Sequence, residues 1–473
     1  MLKYISSSLD YREFLMSQKS SLSVSDLKRL TDKRFKSAIH KLKKLDIDLV
    51  HDLLFSLYSP IGRPANDPAI YIRSFILMQH LRRTSVKNWC VEIQSDPLLQ
   101  YIIGSWSVPD FASHYDFINR FSHANPRLDE FFPKTKFSVD KSNKPKKGQK
   151  WENFSKDDSY SLSQKYSDNP SFDRDRWIFS LQSFFNSIAV IPSADMGFID
   201  SNNFIASGDG TALHIHASPF GTKIDDENYR YSAKNADIGY DSDLESFYFG
   251  HTLFNISTHN SLKHIDLPVF ITLEKASRHD VLNSISASAQ FFDMNPSLHP
   301  RYMCFDSACD SGPVYQFLRQ HNTIPIIDLN QRKSGPNPFS KFENLSENGH
   351  PVCKAGIEMV NFGYIHQRHR RKFRCPLALG KIKECPHQAE CSSSSYGKTV
   401  YINDHDDVRL FGPVLFKSEK WKQIYKNRTC TERINNRILN DYKLHQMRIR
   451  EDSKIAFFAI FAAVNIHLDA WIK

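Results

Sequence analysis

FIASGDGTALHI, residues 204–215, is the stretch whose reading decides the fold. Phe204, Ile205, Leu213 and Ile215 give it the aromatic, β-branched and aliphatic content of a strand. Asp209 stands in its middle, between Gly208 and Gly210. An unpaired carboxylate in an apolar sheet is very costly, so an acid here needs something to face. The two glycines leave room for a hydrated metal or a phosphate to approach the backbone. A strand that simply ends in a turn capped by Asp209 accounts for the same residues. Taken alone, this stretch leaves both readings open.

Two further stretches favour the first. RYMCFDSACDSGPVYQFLRQHNTIPIIDLN, residues 301–330, predicts a strand over Tyr302–Phe305 that runs straight into Asp306. A helix over Gly312–Gln320 and a second strand over Thr323–Leu329 follow. This is a β-α-β unit with an acid at the carboxyl end of its first strand, where open α/β sheets place ligands. YKNRTCTERINNRILNDYK, residues 425–443, carries a helical period through Ile434, Ile438 and Leu439, with Glu432 among Arg428, Arg433 and Arg437. Two strand acids and one helix acid make a set of three carboxylates suited to divalent cations. Hard cations take oxygen ligands, and a metal pair positions both oxygens of an in-line phosphoryl displacement.

The whole chain sets the frame. At 473 residues it has room for several domains and a sizeable core. A net charge of +10 and a pI of about 9.0 suit an anionic partner, most simply nucleic acid. The opening MLKYISSSLDYREF has no apolar core segment, so no secretory signal is expected. The one long apolar run, IAFFAIFAAVNI at 455–466, is short for a bilayer and predicts a buried terminal helix. Eight cysteines in so long a chain do not resemble a secreted disulfide framework, and the expected location is the cytosol.

In chain order, residues 1–132 predict a helical, basic amino-terminal domain. Asp67 and Pro68 open a helix, another starts at Ser85, a third at Asp96 and Pro97 stops at Gly104, and a fourth begins near Asp110. Such a bundle is compatible with helix-turn-helix DNA binding and equally with plain packing. Residues 133–176, with the lysine cluster Lys144–Lys150, predict a flexible basic linker. Residues 177–330 carry the Asp209 strand, two more strands over Ser246–Thr258 and Leu267–Ala276, a helix opening near Asp280, and the Asp306 unit. Residues 331–424 are an insertion holding Cys353, Cys375, Cys385 and Cys391. Four cysteines suit tetrahedral zinc; without a CxxC pair, free reduced thiols are the other reading. Residues 425–473 close the core with the Glu432 helix. The order of elements and the placement of acids resemble the ribonuclease H-like nuclease fold. The expected fold is an α/β core with a ribonuclease H-like mixed sheet flanked by helices, preceded by an all-α domain and interrupted by the cysteine-containing insertion.

With these residues in place, the chain resembles bacterial insertion-sequence transposases of the DDE class from about Gly62 to its end. GRPANDPAIYIRSFILMQHLRR is similar to the opening of their amino-terminal domain, SGDGTALHI to the stretch with their first acid, and CFDSACDSGPVYQFLRQHNTIPIIDLN to that with their second. TERINNRILNDYK is similar to their third-acid helix. In the branch with an insertion before the glutamate, that helix shows tyrosine, arginine, glutamate and lysine at fixed intervals. Tyr425, Arg428 and Glu432 fall on this pattern; the lysine position is Leu439, with Lys443 or Arg437 as substitutes. The cysteines of CPLALGKIKECPHQAEC also look like one subgroup.

The resemblance implies metal-dependent cleavage at element ends and strand transfer to target DNA. By it, Asp209, Asp306 and Glu432 are the catalytic triad and hold magnesium or manganese. Tyr425, Arg428, Arg433, Arg437, Lys443 and Arg63 are DNA-binding candidates, and Cys353, Cys375, Cys385 and Cys391 candidate zinc ligands. The implied partners are element-end and target DNA and a second copy of the chain, with no membrane. The alternatives are a catalytically silent, transposase-derived DNA-binding protein, or a ribonuclease H-like nuclease without strand transfer.

Overall fold

The computed structural model describes residues 1–122, 132–133, 156–169, 177–226, 228–242, 244–330 and 335–473; the lysine cluster Lys144–Lys150 lies outside them. The chain forms two compact units. Unit one comprises Met1–Asn202, Gly208–Leu298 and Cys430–Lys473, and unit two Asn203–Ser207 and His299–Thr429. Strand β1, Ile205–His214, begins in unit two and continues in unit one.

Unit one is packed around the terminal helix Asp452–Trp471. Its run from Ile455 to Leu468 is apolar nearly all round, which marks a helix buried on every side rather than one with a single apolar stripe. It touches the helices Lys33–Lys44, Pro68–His80, Phe111–Ser122 and Ile178–Phe185 and the strand Ile265–Lys275. Phe457 and Phe461 stack at 4.2 Å, and Phe75 meets both edge-on. Its polar groups are answered internally. Trp471 donates to Ser193 Oγ at 2.8 Å, Ser193 contacts His467 Nδ1 at 2.6 Å, and His467 Nε2 reaches the Pro268 carbonyl at 2.7 Å. Burial pushes His467 down to about 4, which keeps the ring neutral in this relay. Among the described residues this helix alone is long and apolar enough to cross a membrane, and 89% of that stretch is buried inside the protein.

The short amino-terminal helices start and stop where their residues dictate. Asp67 accepts from the Ala69 N–H with Pro68 in the first turn, and Ser85 accepts from Asn88 N–H. Asp96 caps Pro97–Ile103, and Gly104 ends it at φ 80°. A Cβ on Gly104 would also stand 2.6 Å from the Tyr11 ring, so glycine is required there twice over. The expectation of a flexible linker over 133–176 fails at Lys156–Asp168, which is a helix. Ser159, Ser163 and Tyr166 bury one face of it, and it packs on the helix Asp280–Met294. Two serines and a tyrosine make a face that polar composition conceals.

The larger antiparallel strands of this unit are β2 (Asp237–Asp241), β3 (Ser246–Asn260) and β4 (Ile265–Lys275). β2 pairs with the start of β3, and β4 with the remainder, from His251↔Lys275 to Asn260↔Ile265. β3 also neighbours β1. A Cβ on Gly250 would lie 2.1 Å from the Leu213 carbonyl, so glycine is what lets β3 come this close.

In unit two the first residues of β1 pair in parallel with β5 (Tyr302–Phe305), and β5 pairs in parallel with β6 (Ile324–Ile327). The helix Gly312–Gln320 makes the crossover, as its sequence predicts. β6 is shorter than the expected 323–329. β7 (Val360–Ile365), β8 (Arg370–Arg374) and β9 (Thr399–Asn403) form a separate antiparallel sheet. Tyr302, Cys304 and Ile326 share a core with Phe339, Phe411, Trp421 and Ile424, which holds the helix Glu419–Tyr425 in place. The protein is thus mixed α/β, with helices flanking a mixed sheet.

Candidate active site

Unit two brings two acids together. Asp306 follows β5 directly and Asp328 follows β6 directly, and Phe305 and Ile327 are paired, so two adjacent parallel strands each end in a carboxylate. Asp306 is half-buried and caps the short turn Ser307–Cys309, accepting from the Ala308 N–H at 3.0 Å. Burial pushes its carboxyl above the usual range; backbone N–H groups and the charge of Arg428 pull it down, and Asp328 adds to the rise. Tyr425 stands in the same field. Burial raises its phenol, Arg428 opposes, and Asp328 and Asp306 reinforce. Its ring stacks on Trp421 at 4.4 Å, with the Arg428 guanidinium 5.9 Å from its centre. Asp306, Asp328, Tyr425 and Arg428 are therefore one electrostatic group. Cys304, two residues before Asp306, is fully buried, and burial pushes its thiol up to about 12; it serves packing.

Asp328 is the residue that reading the sequence passed over. The signal was there: IPIID repeats the pattern of YMCFD, an apolar strand running into an acid.

Asp209 and Glu432 belong to unit one. Asp209 is half-buried in β1. A Cβ on the next residue, Gly210, would meet Asp280 Oδ1 at 2.6 Å and Thr252 Cγ2 at 2.9 Å, and strand alternation sends Asp209 to the other face. Glu432 is exposed in the first turn of the helix Thr429–Asn436, on a cleft of about 590 Å³ with Asp266, Arg433, Arg437, Asp469 and Lys473. Arg433 grips Asp266 with two bonds of 2.6 and 2.8 Å, and Arg437 Nη2 meets Asp469 at 2.6 Å. These two guanidiniums fasten the Glu432 helix to its unit. Lys443 sits just beyond in a left-handed turn, φ 62°. Arg63 is exposed in a loop whose carbonyl accepts from the terminal amine at 3.1 Å.

Of the expected site residues, Asp306, Tyr425 and Arg428 come together in unit two, whereas Asp209, Glu432, Arg433, Arg437, Lys443 and Arg63 lie in unit one. Among the described residues, no group of three or more His, Cys, Asp or Glu side chains is gathered closely enough to hold a metal ion. The four insertion cysteines are free thiols that line one cavity in unit two. Compared with protein-family models and with curated proteins, the chain matches none.

Proposed function

We propose that the chain is a DNA transposase of an insertion sequence, with a ribonuclease H-like core, that cuts at element ends and joins them to target DNA. The observation that carries this is the pair of parallel strands ending in Asp306 and Asp328 beside Arg428 and Tyr425. Carboxylates there supply hard oxygen donors, and the guanidinium a fork for phosphate oxygens. The antiparallel strands around the Asp209 segment and the helix that runs on to Glu432 also agree with this fold.

Asp209, Asp306 and Glu432 would hold magnesium or manganese, which when bound supplies charge for in-line phosphoryl transfer. Arg428 holds a phosphate next to the scissile bond, and Tyr425, wedged on Trp421, fixes the plane from which that guanidinium reaches out. The Asp266 and Asp469 anchors keep Glu432 in register. The partners are element ends, target DNA and a second copy of the chain, at the nucleoid.

The test is cleavage and joining of oligonucleotides that carry the inverted repeats flanking the gene. Asp306→Ala removes a group worth about 4 kcal/mol in the transition state, so cleavage falls about a thousandfold while binding persists. Cleavage at the parental rate ends the assignment. The second reading is a DNA-binding protein without catalysis. Tight binding to the repeats with no cleavage in magnesium or manganese would select it. Cleavage with failure to join precut ends would select a nuclease.

A further inference from the structure

We infer that Cys353, Cys375, Cys385 and Cys391 form a structural zinc site that staples the cysteine-rich insertion together. The inference is independent of the phosphoryl-transfer reading and fails or stands separately from it. Of the eight cysteines, Cys90, Cys304, Cys309 and Cys430 are buried, while these four are half-buried or exposed and none of the four is in a disulfide. All four fall within residues 353–391 and line one cavity of about 230 Å³.

Each thiol is presented by its own backbone feature. Cys353 opens a tight turn, its carbonyl accepting from Gly356 N–H at 2.9 Å, with Gly356 at φ 72°. Cys375 leaves β8, donates its N–H to the Lys398 carbonyl at 2.9 Å and accepts from Leu379 N–H at 3.3 Å. Cys385 accepts from Gln388 N–H at 3.2 Å, and Cys391 ends the single turn Gln388–Cys391. At Gly397 a Cβ would come within 2.9 Å of the Cys375 Cβ, so only glycine lets the returning chain pass this close to the thiol.

The chemistry of the wall selects the ion. It offers four thiols, the Met359 thioether and the His387 imidazole, with no aspartate or glutamate. Soft donors of this kind suit zinc and exclude magnesium or calcium. Four thiolates on one zinc carry a net charge of −2, and Lys354 and Lys398 on the same wall offset it. As they stand, the thiols ring the cavity and are not drawn to metal-holding distance. Thiolates held about 2.3 Å from one point repel each other until a cation sits among them, so gathering and binding are one event. The movement falls on the arm with Cys385 and Cys391, the most exposed part of the set. Once closed, the site ties the excursion between β8 and β9 to the turn at Cys353.

The experiment is metal analysis of the full-length chain, purified under reducing conditions without chelator from zinc-supplemented cells. Zinc bound one-to-one is expected, falling to near zero in Cys385→Ser and Cys391→Ser. Cobalt in place of zinc gives the intense visible band and near-ultraviolet charge-transfer band of a tetrahedral four-thiolate site. Cys385→His, which preserves a ligand, keeps the metal and moves the visible band to shorter wavelength. A cooperatively melting, zinc-free parent chain overturns the inference. So do zinc content unmoved by the serine variants and a disulfide among the four in freshly reduced, non-denatured protein.

Discussion

Asp306 owes its behaviour to a contest that burial wins. Its carboxyl is raised by burial and by Asp328, and neither Arg428 nor the Ala308 and Cys309 N–H groups bring it back to the usual value. A carboxyl whose folded pKa exceeds the unfolded value, about 3.9, contributes stability that is complete below that value and lost as pH rises through the folded one. At neutral pH the ionised group is therefore a cost. Asp306→Asn keeps an oxygen for the Ala308 N–H and removes the charge. Its melting midpoint should exceed the parent's at pH 7 without divalent cation, with no such gain at pH 3. A lower midpoint at pH 7 would show that Arg428 had been the dominant neighbour. Asp328→Asn acts in the opposite sense on its neighbour, lowering the pKa of Asp306, which carboxyl NMR titration reads directly.

At the scale of an element, the Glu432 helix shows how a proposed site residue is held by groups given no part in the proposed chemistry. Asp469 pairs with Lys41 at 2.7 Å and Arg437 at 2.6 Å and accepts from Tyr442. Burial pushes Asp469 up, yet Lys41, Tyr442 and Arg437 together hold it below the usual carboxylate range. A depressed folded pKa gives stability that is present above about pH 3.9 and lost as pH falls through the lower folded value. Asp469→Asn should flatten that acid limb in urea titrations. At pH 7 it should cost about 3 kcal/mol, because Lys41, only 1% exposed, is left without its counter-ion. A loss under 1 kcal/mol would mean that Lys41 gives up its proton and stays neutral. This device was illegible in the sequence. Lys41 reads there as one of several lysines around a basic helix, and 428 residues separate it from Asp469. What could be read was local: the Asp67–Pro68 and Asp96–Pro97 starts, the Gly104 stop and the strand into Asp306 all depend on residues within a few positions. The Lys156–Asp168 helix, the Asp266–Arg433 grip and the role of Asp328 depend on partners that only the fold supplies.

For the whole molecule, the net charge of +10 states an excess without saying which cations are free to meet DNA. Arg29 lies on Asp96, Arg83 on Glu92, Arg433 on Asp266 and Arg437 on Asp469, so these guanidiniums already have carboxylate partners. Arg428 lies beside the Tyr425 ring and in the field that acts on Asp306, so of the expected phosphate contacts it is the one next to the proposed chemistry. Counterion release turns this difference into a number. Each phosphate neutralised on duplex DNA contributes about 0.9 to the slope of log affinity against log salt. The full chain should therefore bind its repeats with a steep negative slope. Arg428→Ala should reduce that slope by about one, whereas Arg433→Ala should leave it unchanged and lower the melting midpoint instead. Equal reductions from both variants would show that the Asp266 pair opens on binding. No reduction from Arg428→Ala would place the phosphate path away from Asp306, and with it the proposed chemistry.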